Sequence, residues 1–298
     1  MKKGFLKYIG VLASAIVLIN CSKDGGSSGG GNNGGGDTTG GGTTGGSKDT
    51  NCVLAAISQV NSGIGSESSL AAYYNSNYEV TKLIIYDSVN NTKSFEADLN
   101  YITADSIIID QYQYFILDAN GRVIRFKTKS DLSDLTTSDD YLYEYTYNND
   151  GYLSTRNLYI NGSLSANLST AYTYINNLLM SCKEIAVSSG NLKVLESTLT
   201  YNTSLQIRNW IYTFPDATQE YMYLTALNFG KRPANPLTQV VTKIYDPPSG
   251  TLLDTWTTSY SNYRVDAYGY VLSGEANGDL QQGIACFYGK TNFYYDCH

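Results

Sequence analysis

The fold is decided by the stretch Tyr141-Leu142-Tyr143-Glu144-Tyr145-Thr146-Tyr147, which is followed by Asn149-Asp150-Gly151-Tyr152-Leu153. Its tyrosines recur at every second position, and successive side chains of a β-strand point to opposite faces of the sheet. All four tyrosines therefore line one face of a predicted strand. Asp150-Gly151 then supplies residues that suit the positive φ angles of a tight turn. The stretch predicts a hairpin with an aromatic face.

Looser copies of this pattern fill most of the chain after residue 50. The apolar segments are short, the connections are mostly brief, and no helical period is sustained. Parallel sheets need crossovers of about a dozen or more residues, for which there is little room. We therefore expect residues 51–298 to form one all-β domain, a single large antiparallel meandering sheet of about 11 to 15 strands. An open roll, a sandwich and a barrel all fit this pattern.

Several segments are less regular than the tyrosine hairpin. Residues 52–60 suit a strand or a helix, and residues 66–75 suit a short helix or a loop. Residues 205–214 and 221–229 are predicted to be further strands, and in the first of them Leu205, Ile207 and Ile211 occupy one face. A glycine and two prolines exclude regular structure from residues 230–236.

The N-terminus has the organisation of an export signal. Lys2, Lys3 and Lys7 precede an apolar run from Ile9 to Ile19. Eleven helical residues span about 16 Å, which is too short for a hydrocarbon core of about 30 Å. Residues 1–20 are therefore predicted to be a signal peptide.

The end of this signal, Leu18-Ile19-Asn20-Cys21, resembles the lipobox of bacterial lipoproteins. The resemblance implies that Cys21 is acylated, becomes the first residue of the mature chain and anchors it to a membrane. Ser22 resembles the residue that directs such proteins to the outer membrane, and leaves the periplasmic and the surface-facing orientations open. The alternative is an ordinary secretory peptide.

Residues 21–50 are predicted to be a lipid-anchored tether. After Cys21 they comprise Gly, Ser, Thr, Asn, Asp and Lys with no apolar residue, so they cannot bury enough surface to offset their ordering entropy. A Gly-rich coil of this length has a root-mean-square reach of about 30 Å. The tether would hold the β domain near the membrane and leave it free to tumble.

Composition weighs against several classes of function. The net charge of −7 without a basic block argues against nucleic acid as a partner. The one histidine, His298, is the last residue, which makes Ser-His-Asp and Cys-His mechanisms improbable. We expect no cofactor and no metal, because neither a Cys-x2-Cys spacing nor a phosphate-binding loop is present. Paired carboxylates, such as Asp105 with Asp110 or Asp139 with Asp140, keep a carboxylate-dependent glycoside hydrolase as the alternative.

Four cysteines remain in the predicted domain. In an oxidising envelope, Cys52, Cys182, Cys286 and Cys297 suggest disulfides, with several possible connectivities. Cys286 and Cys297 bracket a turn region at Gly289-Lys290 and are the favoured pair. Cys52 with Cys182 follows by elimination.

Two sets of aromatic residues are candidates for ligand binding. In the predicted strand of residues 205–214, Arg208, Trp210 and Tyr212 share one face with Gln206. We expect this face to be exposed, because an unpaired Arg is rarely buried. Rings beside polar groups suit a sugar or a peptide, although cross-strand packing alone also explains many strand aromatics. The second set comprises Asp254, Trp256 and Tyr260, which lie on the predicted strand of residues 252–260.

The tyrosine hairpins are similar to YD-type repeats. The best copies are Tyr112-x-Tyr114-x3-Asp118-x-Asn120-Gly121-x-Val123 and Tyr145-x-Tyr147-x2-Asp150-Gly151, with looser copies at Tyr245-Asp246-x3-Gly250 and Asp266-x-Tyr268-Gly269. Together with the lipobox, the tether and the segment Leu227-Asn228-Phe229-Gly230-Lys231-Arg232-Pro233, they resemble a group of tyrosine-rich β-sheet lipoproteins of the Bacteroidota. The resemblance implies fold more than activity and transfers no catalytic residue. We therefore expect a non-enzymatic binding or scaffold lipoprotein of the outer membrane, with a glycan or a protein as ligand.

Overall fold

The computed structural model describes residues 52–60, 68–87, 92–132, 134–215, 223–279 and 289–297. The predicted signal peptide, the tether with Cys21, and Cys286 lie outside these ranges. Within them, the helices are two single 3₁₀ turns, Val187–Ser189 and Tyr223–Thr225, and no helix is long and apolar enough to cross a membrane. The strands of the described chain are β1 Cys52–Val60, β2 Ser68–Tyr74, β3 Val80–Asp87, β4 Thr92–Asp98, β5 Asn100–Thr103, β6 Ser106–Ile108, β7 Tyr114–Leu117, β8 Val123–Lys129, β9 Asp140–Tyr147, β10 Leu153–Ile160, β11 Leu168–Ile175, β12 Leu178–Ala186, β13 Leu192–Tyr201, β14 Leu237–Asp246, β15 Thr251–Val265, β16 Val271–Gly278 and β17 Gly289–Cys297.

These strands form one antiparallel sheet that curls into a nearly closed barrel. Consecutive strands pair along the chain except β4 and β5, and β17 pairs with β1, with Ile57 opposite Phe293. Between β4 and β5 the chain continues through Leu99, whose N–H donates to the carbonyl of Thr81 on β3. The predicted single antiparallel meander is confirmed, and it takes the barrel form. The described chain has 17 strands, more than the predicted 11 to 15, and Ser68–Tyr74 among them is a strand rather than a short helix or a loop.

Side chains of alternating positions point into the barrel. On β9, Tyr141, Tyr143 and Tyr145 are buried, whereas Thr146 between Tyr145 and Tyr147 is exposed. Tyr143 stacks on Phe126 of β8 at 6.0 Å between ring centroids. The alternation that predicted an aromatic face is therefore confirmed, and that face is the interior of the barrel.

The opposite face of the same strands carries ion pairs. Arg125 of β8 lies 2.9 Å from Glu144 of β9, and Lys82 of β3 lies 2.9 Å from both Glu96 and Asp98 of β4. Exposed pairs of this kind contribute only about 0–1 kcal/mol each to stability. They give this part of the wall a surface suited to water.

Four turns at one end of the barrel share a single geometry. This end, where β1 begins and β17 finishes, is called the near end. In each turn the backbone N–H of the first residue donates to the carbonyl of the fifth, and the carbonyl of the first residue accepts the N–H of the fourth. The side-chain oxygen of the first residue accepts the N–H of the fifth. The fourth residue has a positive φ angle, which glycine adopts without strain. The turns are Asn75–Glu79, Asp118–Arg122, Asn148–Tyr152 and Asp266–Tyr270, of which the last three lie in copies of the tyrosine hairpin noted in the sequence.

A disulfide joins the two strands that close the barrel. Cys52 and Cys297 are bonded and occupy directly opposed positions on β1 and β17. The predicted pairs, Cys286 with Cys297 and Cys52 with Cys182, are therefore both wrong. Spacing along the chain favoured a local pair, whereas ring closure brings together cysteines 245 residues apart. Cys182 is buried on β12.

Candidate functional site

The connection between β13 and β14 runs through the interior of the barrel. Residues 202–236, here called the inner segment, are described except for residues 216–222. Their rings contact strands from all round the wall, which places the segment inside the sheet. The centroid distances are 4.9 Å for Trp210–Phe293, 5.0 Å for Phe214–Tyr172, 4.9 Å for Tyr223–Phe115, 5.5 Å for Tyr223–Phe126 and 5.2 Å for Phe229–Tyr145.

The prediction of a strand with an exposed Trp210 over residues 205–214 is wrong. These residues have no ladder partner beyond one isolated bridge between Arg208 and Tyr270, and Asn209 has a φ angle of 44°. Trp210 is only 1% exposed and packs edge-to-face against Phe293 and Tyr263. The polar alternation that suggested an exposed face arises because the chain passes from the rim at Arg208 into the core at Trp210. The predicted strand over residues 221–229 is also wrong where it is described, since it contains a 3₁₀ turn.

The other two members of this predicted platform lie at different depths. Tyr212 is buried, its hydroxyl donates to the carbonyl of Gly230, and it accepts the N–H of Phe229. Arg208 is exposed at the rim, where its N–H donates to the carbonyl of Gly269 in a near-end turn. Arg208, Trp210 and Tyr212 therefore do not share one exposed face, and the rings of Trp210 and Tyr212 are buried.

The second predicted platform lies on β15. Trp256 is partly buried opposite Thr242, and its indole N–H donates to the exposed Asp254 at 2.8 Å. Tyr260 is only 4% exposed, so its ring belongs to the core. Asp254 and Trp256 are therefore together but away from the inner segment's rim. The structure does not join the two predicted sets into one surface.

The inner segment leaves the core at the near end and is bonded to the turns there. The N–H of Lys231 donates to the carbonyl of Gly151, and the N–H of Val123 donates to the carbonyl of Asn228. A Cβ atom on Gly230, which has a φ of +92°, would lie 2.6 Å from the oxygen of Gly151. The segment Leu227–Pro233, noted from the sequence, is thus a contact point between the inner segment and the wall.

A pocket of about 400 Å³ opens beside this contact point. Its described lining contains two cations and two amides above an apolar floor. Sequence reasoning missed it, although the cations at positions 231 and 232, next to the prolines of an irregular segment, were an available signal. The lining residues are Ile207, Asn209, Tyr212, Ala226, Leu227, Asn228, Gly230, Lys231, Arg232, Pro233 and Ala234.

Cations at the near end lie over aromatic rings. The Arg232 guanidinium is 4.6 Å from the ring centroid of Tyr212 and donates to the carbonyl of Trp210, and Arg122 is 4.4 Å from that of Tyr147. Burial raises the pKa of Tyr147 well above its ordinary value, so its phenol stays protonated. A neutral ring with an overlying cation is a favourable contact, worth about 0.5–2 kcal/mol.

A polar cluster lies on the inward side of β10, β11 and β12. Arg156 and Glu184 form an ion pair at 2.7 Å with side-chain exposures of 4% and 1%, and the hydroxyl of Thr170 donates to the same carboxylate. This cluster holds one carboxylate. The carboxylates proposed as catalytic pairs serve local structure, since Asp110 accepts two N–H groups of its own turn and Asp140 pairs with Lys129.

No protein-family model matches the chain, and no curated protein matches it. Among solved structures, the chain is similar to a porin-like protein from Bacteroides uniformis, with a TM-score of 0.56, 16% identity, and coverage of 82% of this chain and 98% of that one. It is also similar to a porin-like protein from Bacteroides vulgatus, with a TM-score of 0.53, 10% identity, and coverage of 83% and 99%. At these identities the likeness shows a shared all-β fold.

Proposed function

We propose that this chain is a non-enzymatic binding lipoprotein of the outer membrane, anchored through Cys21, and that its ligand is a glycan or a protein. The observation that carries the proposal is the inner segment. It fills the barrel with Trp210, Tyr223 and Phe229, and it forms an open pocket where it reaches the near end. A filled barrel with a pocket at its mouth is a rigid support for binding.

The lining of the pocket favours binding over hydrolysis. Glycoside hydrolysis requires two carboxylates about 5–10 Å apart on either side of the scissile bond. Among the described lining residues the charged groups are Lys231 and Arg232, and neither Asp nor Glu is present. Cations and amides suit recognition of oxygen-rich ligands rather than acid–base catalysis.

The position of the pocket suits a tethered domain. The chain enters the barrel at Cys52, whose carbonyl accepts a hydrogen bond from the side chain of Asn209 in the pocket lining. The pocket is therefore at the end of the barrel from which the N-terminal segment leaves. With a flexible reach of about 30 Å, the segment would keep the pocket close to the membrane surface.

Anchoring is tested by metabolic labelling of the full-length protein with an alkyne fatty acid, followed by detergent phase partition. The native protein should carry label and enter the detergent phase, whereas Cys21→Ala should lose the label and enter the aqueous phase. Cys182→Ala, which alters another cysteine, is the matched control and should keep both properties. An unlabelled native protein in the aqueous phase would contradict the anchor.

Binding and catalysis are separated by one pair of measurements on the native protein. A glycan array with envelope and plant polysaccharides should show retention of at least one glycan, and a reducing-sugar assay on the same glycan should show no release. Release of reducing ends would favour the alternative glycoside hydrolase. A protein ligand would be found by cross-linking in intact cells, with no glycan retained.

A further inference from the structure

The near-end pocket combines an aliphatic floor with a polar rim. Ile207 and Leu227 are buried below it, whereas Asn209, Asn228 and Lys231 are exposed around it. A ligand in this pocket meets apolar surface on one side and hydrogen-bond donors on the other. This is the usual division of labour in a small-molecule site, where apolar contact gives affinity and a few polar groups fix orientation.

Two cations at the near end, Arg122 and Lys231, differ in the groups with which they interact. Arg122 is paired with Asp118 at 2.7 Å, and its guanidinium lies over Tyr147. Lys231 lies with its Nζ atom 5.5 Å from the ring centroid of Tyr152, and among the described residues no carboxylate forms an ion pair with it. The ammonium group of Lys231 therefore has no carboxylate partner among the described residues.

We propose that this pocket binds an acidic saccharide, a sugar unit that carries a carboxylate or sulfate group. The proposal rests on the proposed binding function and names its ligand class. The acidic group accepts hydrogen bonds from Lys231, and the carbon-bound hydrogens of the sugar ring cover the floor at Leu227. The Asn209 amide donates one hydrogen bond to the carbonyl of Cys52 and the Asn228 amide accepts the N–H of Gly230, so their remaining donor and acceptor positions meet the sugar hydroxyls.

The shape of the pocket favours a saccharide over an anionic membrane surface. Its volume of about 400 Å³ is within the range of about 300–1,000 Å³ typical of sites that enclose a small ligand. A polybasic segment that binds an anionic membrane surface typically has a cluster of about four to eight Lys or Arg residues, whereas the described lining of this pocket has two. Here the cations lie beside a concave floor.

The test measures binding of trigalacturonate and of neutral galactotriose to the full-length protein by calorimetry. We expect trigalacturonate to bind at least about tenfold more tightly, as one charge-assisted hydrogen bond supplies. Lys231→Met removes the charge and keeps the side-chain stem, and it should reduce trigalacturonate affinity about tenfold or more. Lys290→Met, at an exposed position on β17, is the matched control and should change that affinity less than twofold.

Three results would overturn the proposal. They are equal affinity for the two trisaccharides, equal effects of Lys231→Met and Lys290→Met, and the absence of trigalacturonate binding at millimolar concentration. A loss of binding to phosphatidylglycerol vesicles in Lys231→Met, without trisaccharide binding, would instead assign the pocket to a membrane. In each case the glycan array and the cross-linking measurement still decide separately whether the protein is a binding lipoprotein.

Discussion

The two ends of the barrel are held together in different ways. At the near end, the inner segment hydrogen-bonds to turns that are far apart round the ring, through Gly151 on one side and Gly269 on the other. At the opposite end, here called the far end, the described connections bond within themselves or to neighbours, as when Asn161 donates to Asp139. The difference indicates that near-end substitutions disturb several strands at once, whereas far-end substitutions act locally.

The largest loss of stability is expected from truncating a large core side chain behind the near end. Trp210→Ala should lower the free energy of unfolding by about 3–5 kcal/mol, because it leaves a cavity among Phe293 and Tyr263. Trp256→Ala, at a partly buried position on β15, should cost less than half as much. Denaturant unfolding of both variants measures the difference. Equal losses of unfolding free energy would contradict the proposed difference between the two ends.

Two glycines of similar backbone conformation give the next contrast. Gly250 at the far end has a φ of +67° and open space around it, so Gly250→Ala should cost only the left-handed strain of about 1–2 kcal/mol. Gly230→Ala should cost about 1–3 kcal/mol more, because the new methyl group meets the oxygen of Gly151 and the ring of Tyr147. Thermal unfolding of the two variants should separate them by several degrees. A larger loss at Gly250 would contradict the proposed role of the near-end contact.

The decline of the unfolding free energy at acid pH should depend on Asp118, in a near-end turn. Burial alone would raise the pKa of Asp118, but hydrogen bonds from Arg122 and from backbone N–H groups outweigh it, so the pKa is lowered. A lowered folded-state pKa means that the carboxylate stabilises the fold above its unfolded pKa, near 3.9, and that this stability is lost as pH falls through the folded value.

Asp118→Asn should keep the turn, since Asn75 and Asn148 fill the same position in two other turns. It should lose about 0.5 kcal/mol at pH 7 with the ion pair to Arg122 and flatten the decline of stability below pH 4. Unfolding curves from pH 7 to pH 2 measure both the loss at pH 7 and the decline below pH 4.

At the far end, hydrogen bonds from Thr137 and Thr136 lower the pKa of Asp134 to about 2, which NMR titration checks independently.

The smallest expected effect is a gain in stability. Tyr78 occupies the turn position that glycine fills in the other three near-end turns, with a φ of 62°. Tyr78→Gly removes left-handed strain of about 1–2 kcal/mol, offset by about 0.4–1 kcal/mol of extra entropy in the unfolded chain. The melting temperature should rise by a degree or two, and Tyr78→Asn should behave similarly. A fall in both variants would show that the ring of Tyr78 contributes more than its backbone conformation costs.

The wall of the barrel was predictable because one force sets its pattern. Alternation with a period of two, as at Tyr141, Tyr143 and Tyr145, requires only that one face is buried. The β2 strand was missed because Ala71 and Ala72 weaken strand propensity, although Leu70 and Ala72 do point inward. Here tertiary packing overrides local preference.

The path of the inner segment was not predictable for a different reason. Alternation at Arg208, Trp210 and Tyr212 looks the same whether a strand shows one face to water or an irregular chain descends from a rim into a core. Only the long-range contacts of Trp210 with β15 and β17 distinguish the two cases. The same limit applies to Cys52 and Cys297, whose pairing depends on how the sheet closes.

The bond between Cys52 and Cys297 also decides how the domain carries a mechanical load. Tension on the preceding chain enters along the axis of β1, which is hydrogen-bonded on one side to β2 and on the other to β17. The hydrogen bonds are then loaded in shear, many together, instead of being peeled one at a time. Because the disulfide fastens β17 to the point of entry, force is divided between two strands from the first residue of the barrel. Reduction of this bond should therefore lower the force at which β1 is pulled from the barrel.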